Sequence, residues 1–500
     1  MIKKTKGGFL SAGKAGLDIA GLLVLILLLS FVSCGTDTPD DKTTDAADLT
    51  ASETAADTEI KDSLPDGLDF QGEIINISVR GDSNTIIEFF AEENGEIVND
   101  AIYARNIAVE ERLNIKMNVI IGEKWQSYDR TLTSIRGSIA AGDQTYDLIS
   151  GWSQMISPLS AEGLFLNLFE LPYLDLSEPW WNKSIVKELS VKDKLYFAAG
   201  DINLTRMSSS LVVYENNKLR EDYNLPNVYD AVFGGKWTFD YMHGLVKNIY
   251  QDLNGDGIHD NGDLYGALWD AGNYGTAFLA SSNVTFTKKD ADNIPYLDTD
   301  GEKLSALVDK TYDFLYNNEG VCLAGEAPGI EIFKNDRGYL AAGFLYFPEY
   351  YFRDMETEYS IIPFPKFDEA QEKYMILVQN GMSLLCVPVN NEKKEAVGAF
   401  IEAAASESYK SVTGTYFDVA MKVKYARAET SAKMLDIIRE GANYSFAYIY
   451  NRIIGEPYSV MIDLMNAKKH DFSSWYEKNR PVIEKAIEKL VGQLLEEKIT

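Results

Sequence analysis

Ile74-Ile75-Asn76-Ile77-Ser78-Val79 is a short apolar run with the composition of a buried β-strand. Similar runs occur at Ile115–Ile121 and Tyr146–Ser150, and helical patterns lie between them over Asn99–Leu113 and Tyr128–Ala141. Strands and helices that alternate at this spacing predict βαβ units and a parallel sheet. The carboxyl ends of such strands share one edge of the sheet, which is where open α/β sheets bind ligands.

The remainder of the chain also mixes strands and helices, without an internal repeat. Strand patterns lie at Ser209–Tyr214, Gly338–Phe347, Tyr359–Pro365 and Met382–Pro388. Helical patterns lie at Thr238–Ile249, Lys303–Tyr316, Lys393–Ser406 and Arg480–Glu497. About 430 residues remain once the N-terminal segments described next are set aside, which is too many for one ordinary core and predicts two domains.

The N-terminus has the parts of an export signal. Four lysines precede an uncharged apolar run, Ile19–Val32, which is followed by small Ser33 and then Cys34. The run is shorter than the roughly 20 residues of a transmembrane helix. The cysteine after the cleavage position resembles the bacterial lipobox, so residues 1–33 are predicted to be a lipoprotein signal peptide and Cys34 the lipidated residue. Phe31 departs from the usual leucine, and a plain signal peptide or an uncleaved anchor are the alternatives.

Residues 34–66 are nearly free of large apolar side chains and rich in Thr, Ala, Asp, Glu and Ser. A segment of this composition cannot bury enough surface to offset the entropy of ordering. We therefore expect a disordered acidic tether that holds the folded part at the extracellular face of the cell membrane.

The strongly negative net charge argues against nucleic acid and anionic lipid as binding partners. The 500 residues carry a net charge of −29 at pH 7, whereas nucleic-acid affinity comes largely from Lys and Arg on phosphates. The same charge opposes adhesion to anionic lipid, so the lipid anchor would have to provide the membrane attachment. We therefore expect no nucleic-acid partner.

The use of cysteine and histidine argues against a zinc site. If Cys34 is lipidated, Cys322 and Cys386 remain, and the chain has only three histidines. Cys386 lies in the apolar run Met382–Val387, which predicts a buried strand. We expect it to be a small buried hydrophobe rather than half of a disulfide.

Several stretches, taken in order, carry a resemblance to a known family: Asp100–Asn106, Glu110–Ile115, Gly142–Leu148, Tyr196–Asp201, Val212–Asn217, Ile361–Pro365 and Leu384–Val389 with the helix after it. Together with the lipobox they are similar to the extracellular solute-binding proteins, family 1, the sugar-type substrate-binding lipoproteins of ABC importers. The resemblance implies an α/β, two-lobed periplasmic-binding-protein-like fold (type II). Its hinge-linked lobes each have a central β-sheet flanked by helices, and ligand binds in the cleft between them.

The resemblance also implies a discontinuous domain organisation. Lobe 1 would comprise residues 67–208 and 351–410, and lobe 2 residues 209–350 and 411–500. The chain would cross between lobes near Asn203–Leu211 and near Phe344–Tyr359.

The function that the resemblance implies is capture of a carbohydrate, an oligosaccharide in particular, for delivery to ABC permease subunits by a monomer. Three alternatives stay open: a ligand-presenting extracellular sensor domain, a binder of a non-sugar solute such as a peptide, and a glycosidase. The chain has no Gly-x-Ser-x-Gly elbow, no His-Glu-x-x-His and no Walker loop, so we expect no enzyme activity.

Aromatic residues supply the candidate ligand site. Sugar rings pack C–H faces on aromatic planes and present hydroxyl groups to polar side chains. The candidates stand at predicted strand or loop ends or at a predicted crossing: Trp152, Trp181, Trp269, Tyr346 and Tyr350, with Asp201 and Glu349 as polar partners and Arg80 as a weaker one. The alternative for each aromatic residue is a place in the core.

One local motif predicts a structural Ca²⁺ site. Residues 252–263 fit a calcium loop of the EF-hand type, with Gly257 at the turn position. The predicted ligands are Asp252, Asn254, Asp256, the carbonyl of Ile258, Asp260 and Asp263. The last position holds Asp where Glu is usual, and the alternative is an Asp/Asn/Gly-rich surface turn.

Overall fold

The computed structural model describes residues 61–422 and 428–496. The predicted signal peptide, Cys34 and the tether up to residue 60 lie outside the described residues. The described residues form one compact unit. Within the described ranges, no helix combines the length and apolarity needed to span a membrane.

The ordered part begins earlier than the predicted tether boundary at residue 66. Both Nη atoms of Arg112 donate to the Asp62 carboxylate at 2.7 Å. Leu64 is 6% exposed and packs in the main hydrophobic cluster. The tether prediction is therefore too long at its C-terminal end, because Asp62 is bound to helix 97–113 and Leu64 is buried in the core.

The strands of the described residues, in chain order, are β1 (Glu73–Val79), β2 (Ile115–Ile121), β3 (Leu148–Trp152), β4 (Leu211–Asn216), β5 (Tyr250–Gln251), β6 (Leu264–Trp269), β7 (Thr287–Lys289), β8 (Pro295–Leu297), β9 (Val321–Leu323), β10 (Gly338–Phe344), β11 (Tyr359–Pro363), β12 (Ile376–Leu377), β13 (Ser383–Cys386) and β14 (Ala442–Asn443).

The α-helices are α1 (Ser83–Ile86), α2 (Ile97–Leu113), α3 (Tyr128–Ala141), α4 (Ser153–Ala161), α5 (Lys183–Leu189), α6 (Leu204–Ser208), α7 (Asn217–Asp222), α8 (Val228–Phe233), α9 (Phe239–Val246), α10 (Asn273–Ser281), α11 (Gly301–Tyr316), α12 (Glu326–Lys334), α13 (Phe347–Tyr350), α14 (Lys394–Glu407), α15 (Thr413–Lys422), α16 (Ala428–Glu440), α17 (Phe446–Ile449), α18 (Val460–Asn466) and α19 (Phe472–Leu495).

The first sheet has the order β13-β3-β1-β2. Strand β1 pairs in parallel with both β2 and β3, as the βαβ pattern predicts. Strand β13 returns from much later in the chain and pairs antiparallel with β3, placing Ser383 opposite Trp152. Cys386 is fully buried in β13, which confirms the prediction of a buried strand residue there.

The second sheet has the order β11-β4-β10-β6-β5, with β9 also beside β6. Strands β6, β9 and β10 are mutually parallel, so their carboxyl ends lie at one edge. Strand β4 runs antiparallel to β10 and β11 antiparallel to β4. Every residue of β4, β6, β10 and β11 is buried, because helices and loops cover both faces.

The chain leaves the second sheet later than the predicted lobe boundary at residue 350. Strand β11 follows that boundary and still pairs with β4. The return to the first sheet comes only with β13. The pairing of β11 with β4 joins residues more than a hundred positions apart in the sequence. A local sequence pattern does not reveal such a pairing. The remaining lobe boundaries stay predictions.

Candidate functional site

The carboxyl edges of both sheets line one cavity of about 540 Å³. The first sheet contributes the segment after β1 and Lys124, which follows β2. The second sheet contributes aromatic residues that follow β10. The lining residues are Gly81, Asp82, Ser83, Asn84, Ile86 and Lys124 on the first side, and Tyr346, Tyr350 and Tyr351 on the second. This arrangement places a space for a small molecule between the two sheets.

Trp152 and Arg80 stand together at the edge of the first sheet. The Arg80 guanidinium lies over the Trp152 ring, 5.4 Å from its centroid. Arg80 Nε is 2.6 Å from an Asp82 carboxylate oxygen, and Arg80 Nη1 donates to the Gly381 carbonyl at 3.0 Å. Arg80 therefore ties the ends of β1, β3 and β13 together and covers one face of a partly buried indole.

The second side of the cavity is aromatic. Tyr346 stacks on Phe344, with ring centroids 5.1 Å apart and planes at 7°. Phe347, the first residue of α13, is buried and stacks on Tyr214 at 6.0 Å, which anchors the segment to the sheet. Tyr350 and Tyr351 remain 47% and 38% exposed, so their rings are available at the cavity.

Contacts across the cavity join its two sides. Burial and the nearby Glu349 carboxylate raise the pKa of Tyr350, while a hydrogen bond with the Ser83 side chain opposes that rise. Arg353 Nη2 lies 3.8 Å from a Glu96 carboxylate oxygen, and both side chains are exposed. These contacts link the α13 segment to the loop and helix that follow β1.

Two acidic residues at the second edge were not among the predicted site residues. Asp270 follows β6 directly, and Glu326 begins α12 just after β9. Burial raises the pKa of both carboxyl groups, and the charge of Asp270 adds to the rise at Glu326. Burial raises the pKa of Tyr346 and Tyr351, and the charge of the Glu326 carboxylate adds to this rise. Glu326 therefore lies close to the aromatic side of the cavity. The position of Asp270 directly after a strand was the available signal.

Trp181 lies away from the cavity. Its indole is 2% exposed, and its Nε1 donates to Glu402 Oε2 at 2.9 Å. Trp180 Nε1 donates to the other oxygen of the same carboxylate at 3.0 Å. The structure thus places this predicted ligand residue in the core, because a buried acceptor on α14 holds both indoles inward.

Trp269 is also a core residue. It is 1% exposed and stacks on Phe278, with centroids 5.4 Å apart and planes at 4°. Phe314 and Phe364 pack edge-on against it at 5.3 Å. The prediction that it faces a cleft is corrected, since the last residue of β6 points its side chain into the layer between sheet and helices.

The two predicted polar partners do not line the cavity either. Asp201 is 6% exposed and forms an ion pair with Arg206. Burial raises the pKa of Glu349, while Arg353 beside it opposes the rise. Of the predicted ligand residues, the cavity therefore brings together Tyr346 and Tyr350, and Trp152 stands at the same sheet edge.

The predicted calcium loop lies at the amino end of β6, at the opposite edge from the cavity. Asp252 accepts from the backbone N–H groups of Gly255 and Gly257 at 2.6 and 2.9 Å. Asp263 is fully buried and accepts from Leu253 N–H and Tyr250 hydroxyl at 3.2 and 3.1 Å. Across residues 61–422 and 428–496, no three His, Cys, Asp or Glu side chains are grouped closely enough to hold a metal ion.

No family model and no curated protein matches the chain. Similar solved structures include a cyclo/maltodextrin-binding protein complexed with maltotetraose, at 13% identity over 85% of this chain and 96% of that chain, with a TM-score of 0.51. A sugar transporter from Rhizobium etli in an open conformation is 13% identical over 85% of this chain and 100% of that chain, with a TM-score of 0.50. A de novo designed esterase is 15% identical over 83% and 99%, with a TM-score of 0.51.

These likenesses concern the fold. They agree with the two sheets flanked by helices. The chain has the α/β, two-lobed periplasmic-binding-protein-like fold that the family resemblance of its sequence implies.

Proposed function

We propose that this protein is a membrane-anchored extracellular solute-binding protein of an ABC importer. It captures a carbohydrate, an oligosaccharide in particular, in the cleft between the sheet edges and delivers it to the permease. The observation that carries the proposal is the cavity of about 540 Å³ whose walls come from both sheets. A ligand there contacts both sides, so it favours the closed form by its differential affinity.

The chemistry of the walls suits a sugar. Tyr346, Tyr350 and Tyr351 offer ring faces, and Ser83 and Asn84 offer hydrogen-bonding groups opposite them. A polyol ring has apolar C–H faces and a rim of hydroxyl groups, so it uses both kinds of surface. The names of two similar structures, a cyclo/maltodextrin-binding protein with maltotetraose and a sugar transporter, support the same ligand class.

The anchor is part of the proposal. Cys34 would be lipidated after removal of residues 1–33, and the acidic segment after it would act as the tether. The net charge of −29 supports this, because the surface alone would not hold the protein on an anionic membrane. Metabolic labelling with a fatty-acid probe tests it: label on the wild type and none on Cys34→Ser is expected, and label on both would contradict it.

We also propose that loop 252–263 binds a structural Ca²⁺. Asp252, Asp256 and Asp260 carry carboxylate oxygens, the hard donors that Ca²⁺ prefers. These oxygens now accept hydrogen bonds from backbone N–H groups of the loop. On Ca²⁺ binding they would turn toward the ion instead. Calorimetric titration of metal-stripped protein checks the proposal: heat of binding that disappears in Asp252→Asn is expected, and no uptake up to millimolar calcium would rule the site out.

A thermal-shift screen of the full chain against a carbohydrate library tests the main proposal. Ligand that binds only the native state stabilises it by RT ln(1 + [L]/Kd), about 2.7 kcal/mol at a hundredfold excess over Kd. We expect a shift with one sugar family and no release of reducing ends from it. No shift with any sugar would contradict the carbohydrate assignment and favour a peptide or another solute, and released reducing ends would indicate a glycosidase.

A further inference from the structure

Trp125 is an exposed tryptophan beside the cavity. It is 56% exposed, and its ring packs in neither hydrophobic cluster of the described part of the chain. It directly follows Lys124, which lines the cavity, and opens the 3-10 turn Trp125–Ser127. A large aromatic face in water can gain stability by covering its apolar surface with a ligand.

The backbone of this turn is fixed to the wall of the cavity. Trp125 N–H donates to Asp82 Oδ2 at 3.1 Å, and Asp82 both lines the cavity and pairs with Arg80. Ser127 N–H donates to the Lys124 carbonyl at 2.9 Å, which closes the turn. The exposed ring is therefore presented from an anchored segment rather than from a free loop.

The turn also connects to Trp152. Tyr128, three residues after Trp125, is 1% exposed, and its ring centroid lies 6.1 Å from that of Trp152. Three residues of 3-10 helix rise roughly 6 Å. Trp125 thus lies about one turn earlier along the chain than a buried side chain that contacts Trp152 at the sheet edge.

We infer that Trp125 forms an outer subsite of the cleft, on which a further ring of an oligosaccharide stacks. The inference rests on the proposed function and goes beyond it, because it predicts a preference for longer chains over short sugars. Rings held in the cavity contact the tyrosines of the second side, and the next ring along the chain covers the Trp125 face. The Lys124 ammonium beside it donates to ring hydroxyl groups.

Affinity measured against chain length tests the subsite. Wild type and Trp125→Ala are titrated with malto-, cello-, xylo- and manno-oligosaccharides, each from the disaccharide to the hexasaccharide. In the series that wild type binds, we expect its affinity to rise with length. Trp125→Ala should weaken binding of the longest member roughly tenfold and leave the shortest nearly unchanged, a difference of about 1.4 kcal/mol.

Two further variants serve as controls. Phe169→Ala removes a ring of similar exposure, 47%, that does not line the cavity, and it should leave every Kd unchanged. Trp125→Phe keeps an aromatic face and should retain most of the length preference. Equal losses at all lengths, or none at any length, would overturn the subsite while leaving the proposed function intact. Binding of no oligosaccharide by wild type would overturn both.

Discussion

Trp152 has one face covered by Arg80, while its indole N–H has no hydrogen-bond partner among the described residues. A buried donor without a partner is costly unless a ligand or water satisfies it. Because Trp152 also ends β3, at the sheet edge that borders the cavity, we expect its indole N–H to donate to a bound solute.

We therefore expect Trp152→Ala to weaken binding of the identified sugar by about 1–3 kcal/mol, or roughly fivefold to 150-fold in Kd. Isothermal titration calorimetry measures the change. Trp181→Phe is the matched control, because it alters an indole that bonds to Glu402 away from the cavity. It should lower the melting temperature without changing Kd, and an equal loss of affinity in both variants would contradict the assignment.

Glu402 makes stability depend on pH. Its carboxyl is fully buried, and burial raises its pKa from 4.5 to about 7 although the two indoles and Asp175 N–H oppose the rise. Between these values the folded state binds a proton that the unfolded state has lost. The free energy of unfolding should therefore fall as pH rises from about 4.5 through about 7, with a contribution of about 1–3 kcal/mol.

Urea unfolding at pH 5 and pH 8 checks this pH dependence. Buried Glu215, whose pKa burial also raises to about 7, contributes in the same direction. Glu402→Gln should therefore reduce the difference between the two pH values without abolishing it. A difference as large as that of the wild type would show that Glu402 is not responsible.

The three tryptophans show how far a local pattern determines a site. Trp152 and Trp269 both end a strand, and the sequence predicts that much. Whether the ring faces the cavity or the core depends on neighbours far along the chain: Phe364 packs on Trp269, and Gly381 anchors the arginine over Trp152. The carboxylate that holds Trp181 inward is likewise on a distant helix.

Among the elements, those with clear local boundaries were predicted most accurately. Strand β2 and helix α3 match their predicted ends, and α3 stops at Gly142, which adopts a left-handed φ of 69°. Helix α2 instead begins two residues before its predicted start, because Glu96 at its N-cap makes no side-chain cap bond that a pattern could reveal. The pairing of β11 with β4 depends on a strand far away in the sequence, and the predicted lobe boundary at residue 350 did not anticipate it.

Two helical glycines provide an opposed pair of substitutions. A Cβ on Gly398 in α14 would lie 1.9 Å from the Pro172 carbonyl oxygen, whereas a Cβ on Gly137 in α3 would meet nothing within 4 Å. We expect Gly398→Ala to destabilise by about 1–3 kcal/mol through overpacking. Gly137→Ala should stabilise by about 0.5–1 kcal/mol through helix propensity.

Thermal and urea unfolding measure both glycine variants. If propensity alone controlled these positions, both variants would be stabilised. That result would show that α14 does not press against the loop at Pro172 as closely as the structure has it.

On the scale of the whole molecule, the cavity is lined by residues of two sheets, and different parts of the chain form these sheets. Because both sheets line the cavity, we expect a bound solute to contact both sides and to bring the sheets closer together. We expect the identified sugar to lower the radius of gyration measured by small-angle X-ray scattering. The Trp152→Ala variant at the same sugar concentration provides the control, and an unchanged radius in wild type at saturation would contradict closure on ligand.

The pairing of β13 with β3 also sets the order in which the molecule can be completed. The two strands are about 230 residues apart in the chain. In an exported chain that crosses the membrane N-terminus first, as we propose, β3 reaches the outside before β13. During that interval β3 has an unpaired edge with free N–H and C=O groups. A chain cut between the two strands would therefore keep a first sheet that lacks one strand, with an edge open to pairing with another chain.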